Sequence, residues 1–173
     1  LYRWIKTGYL NKKVTGGYGK IISNDPFFKV TIIVDPGGEL VLNGNLILER
    51  HLEGDSPALL KISSGARLTI DGDFMIGNGV RIFLSKNSEL YFVGADEDDL
   101  SGITENTKIT VRESSKIGKA SICAWDVFIS DCDWHSVYRN QILTPHTAPV
   151  GIGNKVWITS GCKILKGSII GDN

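Results

Sequence analysis

The chain has few of the features that mark the common functional classes. Its 173 residues include only three cysteines, three histidines and one methionine, and 19 basic residues are balanced by 19 acidic ones. A neutral chain without a basic block gives no support for nucleic acid as the main partner. The chain lacks an initiating methionine and stops part-way through a repeat. We therefore expect a segment of a longer protein, with further C-terminal coils beyond residue 173.

Long hydrophobic runs and paired cysteines are also lacking. The longest aliphatic stretch lies around residues 30–34 and is far too short to cross a bilayer, so we expect no transmembrane segment. Cys123, Cys132 and Cys162 fit neither a metal-ligand spacing nor an even disulfide framework. Reduced thiols in a cytoplasmic protein are the simplest interpretation, and a cysteine nucleophile is the alternative.

Apolar residues recur at intervals of six near the C-terminus, where each leads a hexad. These lead residues are Ile117, Cys123, Ile129, Ile152, Ile158, Ile164 and Ile170. An α-helix has a period near 3.6 residues and an exposed strand a period of two, so neither alone gives a period of six. Six residues fit one short strand and a corner, with one inward apolar side chain per face.

Three such faces close a coil of 18 residues, which is the separation of Ile152 and Ile170. Stacked coils pair their backbones and bury a column of isoleucines, so each coil depends on its neighbours. Small residues at the corners let the backbone turn without a clash. The sequence therefore predicts an all-β fold, a parallel β-helix of hexapeptide repeats over residues 31–173.

The first half of the chain shows the same interval less regularly. The positions are Val34, Leu40, Leu46 and Leu52, then Ile70, Ile76 and Ile82, the last three with Leu68, Phe74 and Val80 two residues earlier. The larger companions predict a wider prism there. Residues 53–57 and 96–99 are expected to form solvated corner loops. Residues 1–30 show no clear period and are expected to form an irregular segment.

The repeat is interrupted at one informative place. After Ile129 the next lead position holds His135, and the corner position before it holds Asp133. The pattern resumes at Ile152, which leaves a loop over about residues 136–151. Polar residues inside a regular apolar pattern, followed by a loop, are where function is expected. The alternative is that His135 only ends the coil and faces water.

A resemblance to a known family is carried by the residues around this interruption. They are Ile117-Gly118, Trp125-Asp126-Val127, Asp131-Cys132-Asp133-Trp134-His135, Ile152-Gly153-Asn154-Lys155-Val156-Trp157-Ile158 and Ile164-Leu165-Lys166-Gly167. Over residues 100–173 the chain resembles the hexapeptide-repeat acyltransferases. It is most similar to their polysaccharide O-acetyltransferase and maltose/galactoside acetyltransferase branch. The resemblance implies a left-handed β-helix, a homotrimer with active sites between subunits, and acetyl-CoA as donor.

The resemblance also implies roles for single residues. His135 matches the catalytic base, and Trp157 matches the tryptophan that lines the donor site. Thr159 stands where a glycine is common and would narrow the path of the donor. Asp126 stands where many relatives have an asparagine that contacts the acceptor or the acyl group.

Chemical reasoning is consistent with these roles. A sugar hydroxyl needs a positioned base to accept its proton, and such a base contributes roughly 10²–10⁴-fold. An extended segment would present Asp131, Asp133 and His135 on one side, and we favour Asp133 as the carboxylate that orients the imidazole. Trp134 and Tyr138 flank the histidine, and they form either a platform for a sugar ring or a packing contact.

The leading hypothesis is therefore an acetyl-CoA-dependent O-acetyltransferase that acts on a carbohydrate in bacterial capsular or exopolysaccharide biosynthesis, in the cytoplasm near the inner face of the membrane. N-acetylation of a nucleotide amino sugar and a non-catalytic β-helix scaffold are the alternatives. A zinc carbonic anhydrase on this fold would need about three protein ligands. Only His51, His135 and His146 are available, at unlike spacings, so we expect no metal.

Overall fold

The computed structural model describes residues 2–52, 54–95 and 99–173, with side chains from residue 7 onward. One helix, α1 (Tyr2–Asn11), precedes a long series of short strands. The strands are β1 (Gly16–Gly17), β2 (Ile21–Ser23), β3 (Val30–Val34), β4 (Glu39–Leu42), β5 (Leu46–Leu48), β6 (Ala58–Ile62), β7 (Arg67–Asp71), β8 (Phe74–Ile76), β9 (Arg81–Leu84), β10 (Glu89–Val93), β11 (Gly102–Ile103), β12 (Lys108–Val111), β13 (Ser114–Ile117), β14 (Ile122–Cys123), β15 (Phe128–Ser130), β16 (Tyr138–Arg139), β17 (Ile142–Leu143), β18 (Val150–Ile152), β19 (Trp157–Ile158), β20 (Lys163–Ile164) and β21 (Ile169–Ile170).

These strands form three parallel sheets that the chain visits in turn. Sheet A has the order β1-β4-β7-β10-β13-β18-β21, sheet B the order β19-β14-β11-β8-β5-β2, and sheet C the order β20-β15-β12-β9-β6-β3. Strands β16 and β17 form a separate antiparallel hairpin. Each of the other strands pairs with its counterpart in the adjacent coils. The fold is a parallel β-helix, which confirms the prediction from the repeat.

The length of a coil changes along the axis. Ile152 pairs with Ile170, so the last coil takes the predicted 18 residues. Leu42 pairs with Ile70 and Ile70 with Phe92, so two earlier coils take 28 and 22 residues. The rings of Phe74 and Phe92 stack inside this part of the core with centroids 4.3 Å apart. The N-terminal half is therefore the wider prism that its larger apolar residues predict.

Most predicted inward positions lie in the core. Of the seven lead residues, Ile170 alone is partly exposed, and it packs against the same core. Leu52 was predicted wrongly, because it is 74% exposed and has a positive φ of 46°. It follows the end of β5, where the chain turns out of the coil before β6 begins. Residues 54–57 lie in this connection without regular structure, whereas Glu53 and residues 96–98 lie outside the described residues.

The β-helix begins earlier than residue 31. Strands β1 and β2 already pair with β4 and β5, and α1 precedes them. The side chain of Asn11 accepts a hydrogen bond from the Ile21 amide at 2.9 Å and donates one to the Ile21 carbonyl at 3.0 Å. Leu10 is buried against the core. The side chain of Asn11 at the end of the helix therefore supplies hydrogen-bond partners for the edge of β2. The sequence did not reveal β1 and β2, because strands of two or three residues are too short to show a period of six.

The corner between sheets A and B is built from glycine, which a polar residue follows in every coil except at Gly94-Ala95. A Cβ on Gly118 would lie 2.4 Å from the carbonyl oxygen of Gly153, and one on Gly19 would lie 1.8 Å from that of Gly44. These approaches are closer than any side chain allows, so the corners need glycine. The predicted role of small corner residues is confirmed at these positions.

The polar residue after the glycine ties one coil to the next. The amide of Asn45 donates to the carboxylate of Asp73 at 2.8 Å, and the amide of Lys119 donates to the side-chain oxygen of Asn154 at 2.9 Å. Asn154 in turn donates its amide to the carboxylate of Asp172 at 2.7 Å, which lowers the pKa of Asp172. These bonds satisfy amides that the turning backbone leaves unpaired.

Within the described part of the chain, no helix combines the length and apolar character that crossing a membrane requires.

Gly118→Ala should lower the free energy of unfolding by about 1–3 kcal/mol, because the new methyl group meets the backbone of the next coil. Gly8→Ala is the matched control, since no atom lies within 4 Å of the place that a Cβ on this residue of α1 would occupy. Alanine should be neutral or stabilising there. Denaturant unfolding checks both variants, and equal stability of the two would remove the steric account of the corner.

Candidate functional site

An insertion of residues 131–149 leaves the β-helix between β15 in sheet C and β18 in sheet A. We call it the insertion loop. Ile117 pairs with Ile152, so this coil takes 35 residues where the last one takes 18. The hairpin of β16 and β17 forms its outer part. The predicted loop is present and begins slightly earlier than expected, directly after Ser130.

The insertion loop starts from a buried carboxylate. Asp131 is fully buried, and its two oxygens accept hydrogen bonds from the amides of Arg112 at 2.8 Å and Glu113 at 2.7 Å. Burial raises the pKa of Asp131, although these bonds act in the opposite direction. Asp131 therefore points under the preceding corner and not toward His135. The expectation that Asp131, Asp133 and His135 share one side is wrong for Asp131.

His135 stands free at the surface of the insertion loop. Its side chain is exposed, and among the described residues no hydrogen bond or ion pair engages its imidazole. The carboxylate of Asp133 lies 2.5 Å from the ammonium of Lys166, and its amide donates to the carbonyl of His146. Within one chain Asp133 is thus held by Lys166, and it does not orient the imidazole.

His135 and Asp133 nevertheless line one open depression of about 580 Å³ between the hairpin and the last coils. We call it the histidine groove. Its other walls are Val137, Arg139, Thr144, Pro145, Thr147, Ala148 and Lys166. The ammonium of Lys166 also donates to the carbonyl of Pro145 at 2.5 Å, so it ties the insertion loop to the last coil. The groove therefore offers one free imidazole beside a fixed ion pair.

The two aromatic residues that flank His135 have different environments. Trp134 has a positive φ of 64°, and the guanidinium of Arg112 lies 5.4 Å from the centre of its ring. That contact packs Trp134 on the preceding corner. Tyr138 lies on β16 and is mostly exposed. Neither residue lines the histidine groove, so their predicted contact with a sugar stays a prediction.

The predicted donor-site and acceptor residues lie elsewhere on the same chain. Trp157 projects from the outer face of sheet B and is 71% exposed. Thr159 follows it, with its hydroxyl 3.4 Å from the sulfur of Cys162. Asp126 occupies the corner between sheets B and C with a φ of 58°. His135 comes after β15, at the opposite edge of sheet C from Asp126. Within one chain, these residues therefore do not surround a common point.

Sequence reasoning missed the outer face of sheet B. Its strands lie in register, and the outward position of every coil is apolar or glycine. These positions are Ile22, Ile47, Met75, Gly102, Ile122 and Trp157. We call them the apolar ladder. Each residue immediately precedes an inward one, so the signal was present in the sequence as adjacent apolar pairs.

The environment of Cys123 argues against a nucleophilic role for its thiol. Burial raises the pKa of Cys123 to about 12, so its thiol stays protonated near neutral pH and is a poor nucleophile. All three cysteines are free, and Cys132 is buried as well. Over residues 2–52, 54–95 and 99–173, no three His, Cys, Asp or Glu side chains form a group that could hold a metal ion.

Comparison with protein-family models, curated proteins and solved structures finds no match to this chain.

Asp131→Ala should destabilise the fold by about 1–3 kcal/mol, because two amides at the preceding corner lose their acceptor. Asp131→Asn should lose less, since it keeps one acceptor and removes a buried charge. Asp133→Ala is the control, because its partly exposed pair with Lys166 contributes at most about 1 kcal/mol. Thermal unfolding ranks the three, and an Asp131→Ala variant as stable as the parent would contradict the anchoring role.

Proposed function

We propose that this chain is the β-helix of an acetyl-CoA-dependent O-acetyltransferase that acts on a sugar hydroxyl. The observation that carries the proposal is the free imidazole of His135 in an open groove, where the insertion loop leaves a regular β-helix. A histidine that only ended a coil would need no lined groove beside it. The motifs that resemble the hexapeptide-repeat acyltransferases support the same assignment, with a left-handed coil.

The reaction uses the imidazole as a general base. The sugar hydroxyl attacks the thioester carbonyl carbon while His135 accepts the hydroxyl proton. Collapse of the tetrahedral intermediate breaks the carbon–sulfur bond, and the departing thiolate takes the proton back from the imidazolium. The open side of the histidine groove admits a bulky acceptor. Lys166, bonded to the carboxylate of Asp133 and the carbonyl of Pro145, lines the same groove as the imidazole.

A homotrimer completes the site in this proposal. The apolar ladder runs over five strand spacings, roughly 24 Å, and ends in the exposed ring of Trp157. An apolar stripe of this length needs a cover, and a cyclic assembly supplies one from identical copies. Trp157 of one subunit would then approach the histidine groove of its neighbour. Acetyl-CoA and the acceptor would then meet between two subunits. We place this reaction in the cytoplasm.

His135→Ala should lower kcat by roughly 10²–10⁴-fold and leave the oligomer and CoA binding intact. His146→Ala is the matched control, because it lies in the same loop with its ring nitrogen 3.3 Å from the Ser136 hydroxyl. The full-length protein is assayed by thiol release from acetyl-CoA with hydroxyl and amino sugars.

Near-normal turnover of His135→Ala would end its assignment as the base. A parent that binds no CoA by calorimetry would leave the scaffold alternative. A clear preference for amino sugars would move the proposal to N-acetylation with the same base.

Ile122→Glu should dissociate the full-length trimer, because it places a charge in the apolar ladder directly beside Trp157. Ile33→Glu is the control, since Ile33 is an exposed isoleucine on the outer face of sheet C. Light scattering at micromolar concentration measures the mass, and circular dichroism verifies the fold of both variants. A parent protein that is a stable monomer would refute the assembly.

A further inference from the structure

The strands of sheet C contain basic residues and no acidic ones. None of the residues in its six strands is acidic, whereas four are basic. Lys61 is paired with Asp35. The other three are Arg81, Lys108 and Lys163, and all are exposed. No ion pair among the described residues includes any of these three side chains.

The three cations lie in one column across the strands. Arg81 pairs with Lys108, Lys108 with Phe128, and Phe128 with Lys163. We call these four residues the cationic column. Like charges on directly opposite residues destabilise a sheet, and here no nearby carboxylate on the strands relieves the repulsion. A surface that keeps such a column is suited to a ligand that brings the missing negative charge.

The column also has a place for a ring. Phe128 lies half-buried between the two lysines, which are two strand spacings or roughly 9.6 Å apart, a distance on the scale of a disaccharide. Lys108, Phe128 and Lys163 line a depression of about 470 Å³ together with Asn106 and Asp126 at the corner. The aromatic side chain provides an apolar surface for a sugar ring, and the ammonium groups on both sides fit its carboxylates.

The carboxylate of Asp126 helps to select the ligand. It accepts hydrogen bonds from hydroxyl groups, but it repels a compact and highly charged group such as a diphosphate. Widely spaced carboxylates with hydroxyls between them avoid that repulsion. Three cations on a chain of zero net charge are also too few for tight nucleic-acid binding. The chemistry of the depression therefore favours an acidic glycan.

The cationic column and the histidine groove adjoin on the same coil. Lys163 lines the depression at the start of β20, and Lys166 lines the histidine groove three residues later. A glycan bound on sheet C can therefore extend from the column to His135. We propose that the acceptor is a carboxylate-bearing polysaccharide, held on sheet C by Arg81, Lys108, Phe128 and Lys163. This inference rests on the proposed O-acetyltransferase function and specifies its substrate class.

Calorimetric binding to the full-length protein tests the inference without requiring turnover. The probes are oligosaccharides of galacturonate, glucuronate and sialate, each beside its carboxyl-reduced form. At least one acidic form should bind about five- to tenfold more tightly than its reduced form. The double variant Lys108→Gln and Lys163→Gln should remove that preference, since two exposed charge contacts together amount to about this factor.

The matched control is the double variant Lys12→Gln and Lys20→Gln, which removes two exposed charges near the first coil. It should bind the acidic probe like the parent. Equal binding of every acidic probe and its reduced form overturns the inference. So does a Lys108→Gln and Lys163→Gln variant that loses affinity for CoA and keeps the acidic glycan, because the column would then serve the donor phosphates.

Two further outcomes test the proposed O-acetyltransferase function separately from the acidic substrate class. Equal acetyl transfer to acidic and reduced glycans overturns the acidic substrate class and retains the O-acetyltransferase. A parent that prefers the acidic glycan but binds no CoA retains the glycan site and refutes the enzyme.

Discussion

Backbone pairing between successive coils is the constraint on which the rest of this structure depends. Each strand must lie one hydrogen-bonded spacing from its counterpart, so the corners must stack at the same distance. At the corner between sheets A and B this is possible only without side chains, as the contact between Gly118 and Gly153 illustrates. The same stacking places equivalent side chains in columns. A residue type that repeats at one position therefore builds a continuous surface, whether inside the core or on a face.

The insertion loop is a local exception, and Asp131 makes it compatible with the stack. Elsewhere a corner amide bonds to the carbonyl of the next coil, as the amide of Ser85 does with the carbonyl of Val111 at 2.8 Å. After Ser130 the insertion loop comes before the next strand, so the amides of Arg112 and Glu113 would lack a backbone carbonyl of the next coil as acceptor. The Asp131 carboxylate accepts both hydrogen bonds in its place. The first acidic residue of the sequence motif is therefore structural, and the free side chain of His135 is carried on a firmly anchored loop.

The parts of the fold that the sequence predicts are those set by one repeated local rule. The interval between Ile152 and Ile170 predicts the length of the coil correctly, because the residue that leads each hexad of that coil is apolar. Leu52 keeps the interval but faces water, since the chain has already turned away from the core. The pairing of Asp133 with Lys166 was not predictable, because Lys166 comes from a coil that closes only after the loop returns. Position in a repeat predicts burial well, whereas side-chain partners across an insertion depend on how the loop folds back.

The three outer faces of this β-helix share one geometry but carry different kinds of side chain. Sheet B is apolar from Ile22 to Trp157, and sheet C carries Arg81, Lys108 and Lys163 without an acidic residue. Sheet A mixes both signs, as the pair of Arg67 with Glu39 shows. Because each face extends over many coils, we propose that the apolar face binds copies of the chain while the charged face binds a ligand. The insertion loop emerges where sheet C meets sheet A, so its histidine lies at the border of the charged face. In the proposed function, the free imidazole at that border acts on an acceptor that the charged face holds.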